Sequence, residues 1–241
     1  MKIFAISDLH LSKACPKPMN IFGPHWEGHW ERVQERWKAK VGEEDVVLIG
    51  GDISWAMSLE DARADLAEIG ALPGKKVLLR GNHDYWWGSL SRVREAAGPG
   101  FFVLQNDSLR CGKAVIAGTR GWSCAASAST AQDEKILRRE AQRLELSLAH
   151  AARQRQEGDR LLVMMHYPPF NDKQEPSVLT EILESAGVDQ VSYGHLHGPH
   201  LAFAFEGELR GVRYRMVSCD YLRCDPAMLA RETEDGAMEI L

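Results

Sequence analysis

The chain has 241 residues, 44% of them hydrophobic, and a net charge of -5. That size and apolar share suit one α/β domain spanning residues 1–241, and the mildly acidic balance excludes the basic stripe that a nucleic-acid-binding surface needs. Apolar runs such as Val46 to Ile49 and Leu161 to Met165 fall far short of the ~18 residues of a membrane span, and Ser7, Asp8 and His10 interrupt the amino terminus before a signal-peptide core forms. Five scattered cysteines, Cys15, Cys111, Cys124, Cys219 and Cys224, supply no CxxC pair, so the expected compartment is the reducing cytoplasm.

In chain order, Ile3 to Ile6 predicts a first strand that closes in Ser7-Asp8-Leu9-His10. Trp26, Trp30, Val33, Trp37 and Val41 follow a three-to-four spacing and predict a helix with one apolar stripe, with His25, Trp26 and His29 expected either to rim the cleft at the strand ends or to lie on the helix surface, the latter favoured. Val46 to Ile49 predicts a second strand before Gly50-Gly51-Asp52, and Ser58 followed by Asp61 reads as an N-cap opening a helix toward Ile69. Val77 to Leu79 predicts a strand that runs into Gly81-Asn82-His83-Asp84. Ser123 to Thr130 is small, polar and alanine-rich, and reads as a loop; Asp133 to Gln156 carries Ile136, Leu137, Leu144, Leu148 and Ala151 at helical spacing, so its charges form a solvated face. Two further strands, Leu161 to Met165 and Gln190 to Tyr193, close in His166 and in Gly194-His195-Leu196-His197; Leu201 to Tyr221 alternates around Gly207 and Gly211 as hairpin strands would. Strand and helix thus alternate, which predicts a layered α/β fold with a largely parallel sheet.

The carboxyl ends of strands form the crevice where open α/β sheets bind ligands, so groups that follow successive strands converge although they are far apart in sequence. Taken singly, Asp52 reads as a turn or cap residue, Asn82 as a turn residue and His166 as a core histidine. Together, three carboxylates, several imidazoles and one amide at strand ends form a donor set for two adjacent cations. Two such cations repel unless a carboxylate and a hydroxide lie between them, and Asp52 is the expected bridge. Imidazole and oxygen donors without thiolate suit Mn, Fe, Co, Ni or Zn better than Ca.

Five blocks, Asp8-Leu9-His10, Gly51-Asp52, Gly81-Asn82-His83-Asp84, His166 and Gly194-His195-Leu196-His197, occur in this order over nearly the whole chain. In this the sequence resembles the calcineurin-like metallophosphoesterase superfamily, and the tryptophan-rich segment after the first block together with Gly51-Asp52-Ile53-Ser54-Trp55 is similar to a bacterial group of predicted phosphohydrolases. The resemblance implies a sandwich of two mixed β-sheets flanked by helices, with Mn or Fe favoured at a dinuclear centre. It implies one metal on Asp8, His10, Asp52 and His197, and the other on Asp52, Asn82, His166 and His195.

A hydroxide bridging the metals is then the expected nucleophile, and His83, which the family pattern leaves off the metals, is expected to assist the leaving oxygen. Asp84 is expected either to orient His83 or to cap the following turn, and Arg120 either to clamp a phosphate oxygen or to be exposed in its glycine-rich turn. The resemblance also implies a protein-phosphatase branch with G-D-x-x-D-R, from which Gly51-Asp52-Ile53-Ser54-Trp55-Ala56 departs. The expected partner is a small phosphoester, monoester or diester, with nucleotide-like character if Trp55, Trp86 or Trp87 stacks on it; the competing expectation is that Trp86 or Trp87 simply fills space beneath the site. A non-catalytic metal-binding scaffold on the same fold is the alternative, and the sequence sets no oligomeric state.

Overall fold

The computed structural model describes residues 1–124 and 130–241, so most of the loop expected over Ser123 to Thr130 lies outside the described residues. Continuous apolar runs form its central strands. Every residue of Val46–Ile49, Ala114–Thr119 and Gln190–Tyr193 is buried, as is every residue after the first in Lys2–Ile6, Lys75–Leu78 and Arg160–Met165. Strands covered on both faces have this pattern, because neither face is left to water.

The elements in order are β1 (Lys2–Ile6), α1 (His29–Lys40), β2 (Val46–Ile49), α2 (Leu59–Gly70), β3 (Lys75–Leu78), α3 (Leu90–Ala97), β4 (Phe101–Val103), β5 (Leu109–Cys111), β6 (Ala114–Thr119), α4 (Ala131–Gln154), β7 (Arg160–Met165), α5 (Val178–Ser185), β8 (Gln190–Tyr193), β9 (Gly207–Leu209), β10 (Val212–Met216), β11 (Ala227–Glu232) and β12 (Met238–Ile240). They build two six-stranded sheets, ordered β12-β11-β1-β2-β3-β4 and β5-β6-β7-β8-β10-β9. In each, a parallel centre carries antiparallel strands at the margin, so both sheets are mixed.

Alternation along the strands divides the core. Ile3, Ala5, Val46, Leu48 and Val77 face Ile116, Leu162 and Met164 across the seam between the sheets. Phe4, Ile6, Val47 and Ile49 point the other way, onto Val33, Trp37, Leu66 and Ile69 of α1 and α2. Val115, Val163 and Val191 of the second sheet meet Leu144 and Leu148 of α4 and Leu179 and Leu183 of α5.

Ser58 does cap α2, its side chain accepting from Asp61 N. One expectation shifts. Gly28 takes a left-handed φ of +59°, so α1 starts only at His29 and Trp26 sits in a separate 3₁₀ turn, Pro24–Trp26. β9 and β10 form the expected hairpin and finish the second sheet, β10 lying parallel to β8 and β9 forming the edge. No helix among the described residues is long and apolar enough to cross a membrane.

Candidate active site

The polar ends of β1, β2, β3, β7 and β8 are laced together by backbone bonds. Asp8 N donates to Gly51 O at 2.9 Å, His10 N to Asp52 O at 2.9 Å, and Gly194 N to His166 O at 3.1 Å. Asp8, His10, Asp52 and His195 have φ of +60°, +48°, +50° and +74°, a region that side chains other than glycine rarely enter. Four such residues in one cluster are held against their local preference by these bonds, which is how strained backbone persists at ligand sites.

Two glycines permit the crowding. A Cβ on Gly81 would collide with the backbone N and the Oδ1 of Asp52, and one on Gly194 with Asp8 Oδ2 and Ser7 Oγ.

The structure brings all seven expected ligands together. Asp8, His10 and His197 form one group and Asp8, Asp52 and His166 a second, with the donor atoms of each group within 4.8 Å of one another. Asp52 lies between two imidazoles from different strand ends: Oδ2 is 3.9 Å from His10 Nε2 and Oδ1 is 3.5 Å from His166 Nε2. Asn82 Oδ1 is 2.7 Å from His166 Nε2, and the His195 ring centre is 5.1 Å from that of His166.

Outer contacts orient these groups. His166 Nδ1 is 3.0 Å from Gly50 O, and His197 Nδ1 is 2.9 Å from Asp220 Oδ1, leaving the Nε2 atoms toward the cluster. Ser218 Oγ donates to Asp8 Oδ2 at 2.8 Å. Sequence reading missed Ser218 and Asp220, since no motif marks a serine or aspartate brought in by the chain after β10.

Burial dominates the electrostatics. It pushes the Asp52 carboxyl up to about 9, helped by the charges of Asp8 and Asp84. It pushes His166 down to about 4 and His195 to about 3, the latter aided by His166, and it holds His10 well below its ordinary value. For two groups the neighbours outweigh burial: Asp8 falls below the usual carboxylate range beside His197, and His197 rises to about 10 beside Asp8 and Asp220. His10 Nδ1 and His197 Nε2 are buried without a hydrogen-bond partner among the described residues, the latter facing Asp8 Oδ1 at 3.2 Å. Neutral imidazoles, orphaned ring nitrogens and crowded carboxylates form a donor set that fits divalent cations.

The cluster opens into a cleft of about 360 Å³ lined by the polar side chains of His10, Asp52, His83, His195 and His197 and by the apolar ones of Met19, Phe22, Trp26, Trp55 and Pro199. Trp55 stacks on His10 with ring centres 4.7 Å apart, and Lys17 Nζ lies 3.3 Å from the Trp55 ring centre. Trp26 is not a surface residue: it is 3% exposed, edge-on to His10 and to His197. His29 is likewise engaged, its Nε2 2.8 Å from Leu9 O, which ties the start of α1 to the first ligand loop.

His83 lines the cleft. Its backbone N donates to Asp52 Oδ1 at 2.8 Å and its Nδ1 is 3.4 Å from Tyr85 Oη; burial, then Lys17, lowers its pKa. Asp84 and Arg120 take neither of their expected places, while Trp86 and Trp87 fill buried space, the second of their two expected roles. Asp84 is fully buried and accepts from the backbone N of Gly81, Ile53 and Ser54 and from Trp86 Nε1, at 2.7, 2.9, 3.2 and 3.0 Å. With both oxygens occupied it fastens the β3 loop to the β2 loop and does not face the cleft. Arg120 Nη2 lies 3.6 Å from Glu140 Oε1 and its side chain lines a separate cavity, as does Trp87. Trp86 and Trp87 are 3% and 4% exposed and do not line the cleft.

Comparison with known proteins agrees with this arrangement. The family model for calcineurin-like phosphoesterases matches residues 1–199. An 86-residue stretch is 40% identical to the Gene 66 protein of Mycobacterium phage D29, covering 34% of this chain and 40% of that protein, so the match spans less than half of the relative's length. Two solved structures share the fold at 16% identity: a phosphopantetheinyl hydrolase from Mycobacterium tuberculosis, with a TM-score of 0.56, and a protein of unknown function from Aquifex aeolicus, with a TM-score of 0.50. Each comparison covers 94% of this chain and 95% of the other. With the five strand-end blocks converged and a family model matched over most of its length, the chain belongs to the calcineurin-like phosphoesterase family.

Proposed function

We propose that this metal-dependent phosphohydrolase cleaves a small phosphoester, monoester or diester, at a centre of two metal ions. Asp8, His10, Asp52 and His197 would hold one ion, and Asp52, Asn82, His166 and His195 the other. The observation that carries this reading is Asp52, whose two oxygens each face an imidazole from a different strand end. Such ions, with Mn or Fe favoured by the family and Zn, Co or Ni also matched by the donors, supply Lewis acidity and lower the pKa of a water from about 15.7 toward about 7.

The protein's own groups do the rest. Asp220 and Gly50 O fix the rings of His197 and His166, so the donor atoms need no rearrangement to bind. His83, tethered to Asp52 through its backbone and lining the cleft, would present Nε2–H to the leaving oxygen in the tautomer whose Nδ1 accepts from Tyr85 Oη. The apolar lining of Met19, Phe22 and Trp26 suits an apolar or flat leaving group and keeps water from it. Nucleobase stacking on Trp55 would have to displace Lys17, so a nucleotide-like substrate fits less well than other small esters. A phosphopantetheinyl hydrolase on the same fold supports a phosphoester substrate.

Chelator treatment should abolish turnover and re-addition of Mn should restore it. His83→Ala should lower kcat about 100- to 10,000-fold with metal content unchanged; activity without metal, or an unaffected variant, would refute the respective assignment.

A further inference from the structure

A second cavity, of about 140 Å³ against about 30 Å³ for one water in the liquid, shares no lining residue with the cleft. Arg80, Arg120 and Arg143 line it, with Trp87, Asn106 and Thr119. Their charges do not balance. Glu140 serves both Arg143, at 2.7 Å, and Arg120, at 3.6 Å, while its other oxygen accepts from Thr119 Oγ1 at 2.8 Å. Among the described residues no carboxylate pairs with Arg80, so three guanidiniums face one carboxylate.

The donors there are also unspent. Arg80 Nε, Arg120 Nε and Trp87 Nε1 are buried without hydrogen-bond partners among the described residues, and Trp87 is only 4% exposed. Grouped cations cost free energy unless an anion or water compensates them, and buried N–H groups without acceptors add to that cost. Burial lowers the pKa of Arg120 although the charge of Glu140 opposes this, and the smaller effects of Arg80 and Arg143 act in the same direction as burial.

We propose that this cavity is a second anion site that takes a phosphate-class oxyanion, gripped by Arg80, Arg120 and Arg143. Planar guanidiniums match such oxygens in pairs, and Asn106 adds an exposed amide to the lining. The site also touches the candidate active site through the backbone. Arg80 directly precedes Gly81-Asn82-His83, and Arg120 O accepts from His166 N at 3.1 Å and Tyr167 N at 2.9 Å. An anion held here therefore braces the two segments that carry Asn82 and His166, from outside the cleft.

The test uses the full-length protein loaded with Mn. Crystals soaked in tungstate should show an anomalous peak between the three arginines, apart from any peak at the cleft. Calorimetric titration with inorganic phosphate should resolve this site, and Arg143→Gln should weaken it at least about tenfold, the loss expected for one charge-assisted hydrogen bond. Arg143 is partly exposed on α4, so that variant should keep its fold. The double variant Arg80→Gln/Arg143→Gln should remove the site.

A KM raised only for esters bearing a second phosphoryl group would identify the anion as part of the substrate. An unchanged KM, with weakened phosphate binding, would identify a free ion. A tungstate peak at the cleft alone, or second-site binding unaltered in both variants, would overturn the proposal, and neither result bears on metal-dependent hydrolysis in the cleft.

Discussion

Asp52 and His197 hold protons that a cation must displace. Burial and Asp8 raise Asp52 to about 9, and His197 reaches about 10 because Asp8 and Asp220 outweigh its burial. Both values lie above neutrality, so in the metal-free protein both groups are protonated at pH 7, and bound protons compete with the metal. Affinity should therefore rise with pH up to about 10, and binding at pH 7 should release about two protons per chain. Calorimetry in buffers of different ionisation enthalpy reads that number directly; a binding heat independent of the buffer would show that neither group gives up a proton to the metal. His166 and His195, pushed down to about 4 and about 3, are already neutral and release nothing at that pH.

The candidate ligand residues were legible because each lies within a few residues of the end of an apolar run, a local pattern that survives without coordinates. Trp26, Ser218 and Asp220 were not. Trp26 fits the periodicity of a helix it does not join, because Gly28 turns the chain first, and Ser218 and Asp220 reach the cluster through the pairing of β10 with β8 and the bridge of Ser218 to Ser7. Arg120 was misplaced because a turn composition does not say which cavity the side chain enters.

At the scale of elements, the loops after β2 and β3 act as one unit through Asp84. Its carboxylate takes four N–H donors, three from backbone and one from Trp86. Asp84→Ala would bury those donors without partners, and should cost at least about 3 kcal/mol together with loss of metal. Denaturant titration and metal analysis check this; a stable variant that keeps its metals and loses only kcat would return Asp84 to a direct catalytic role. The strands that end in the polar blocks were readable, whereas β6 and β11, at six residues each, went unread because no such block follows them, and β4, β5 and β12, at three residues each, were too short for periodicity to register. Their places are set by pairing with β3, β6 and β11.

At the scale of the molecule, the seam between the sheets sets the distance between the strand ends. Leu162, 1% exposed in β7, packs there with Leu48, Val77 and Ile116. Leu162→Ala should cost about 2–5 kcal/mol and, by loosening that seam, weaken metal binding as well. A loss of stability with unaltered metal affinity would mean that the backbone bonds between the loops hold the centre unaided. Each metal group draws on both sheets, with Asp8, His10 and Asp52 following the first and His166 and His197 the second.

Metal stoichiometry and turnover measured on the same Mn-reconstituted sample test the central claim most directly, with para-nitrophenyl phosphate and bis-para-nitrophenyl phosphate as substrates, for the parent protein and for Asp52→Asn. Two metal ions per chain with hydrolysis of at least one ester, and loss of both in the variant, is the predicted result. One ion or none in an active parent protein, or an Asp52→Asn variant that retains both ions and full turnover, would contradict the account.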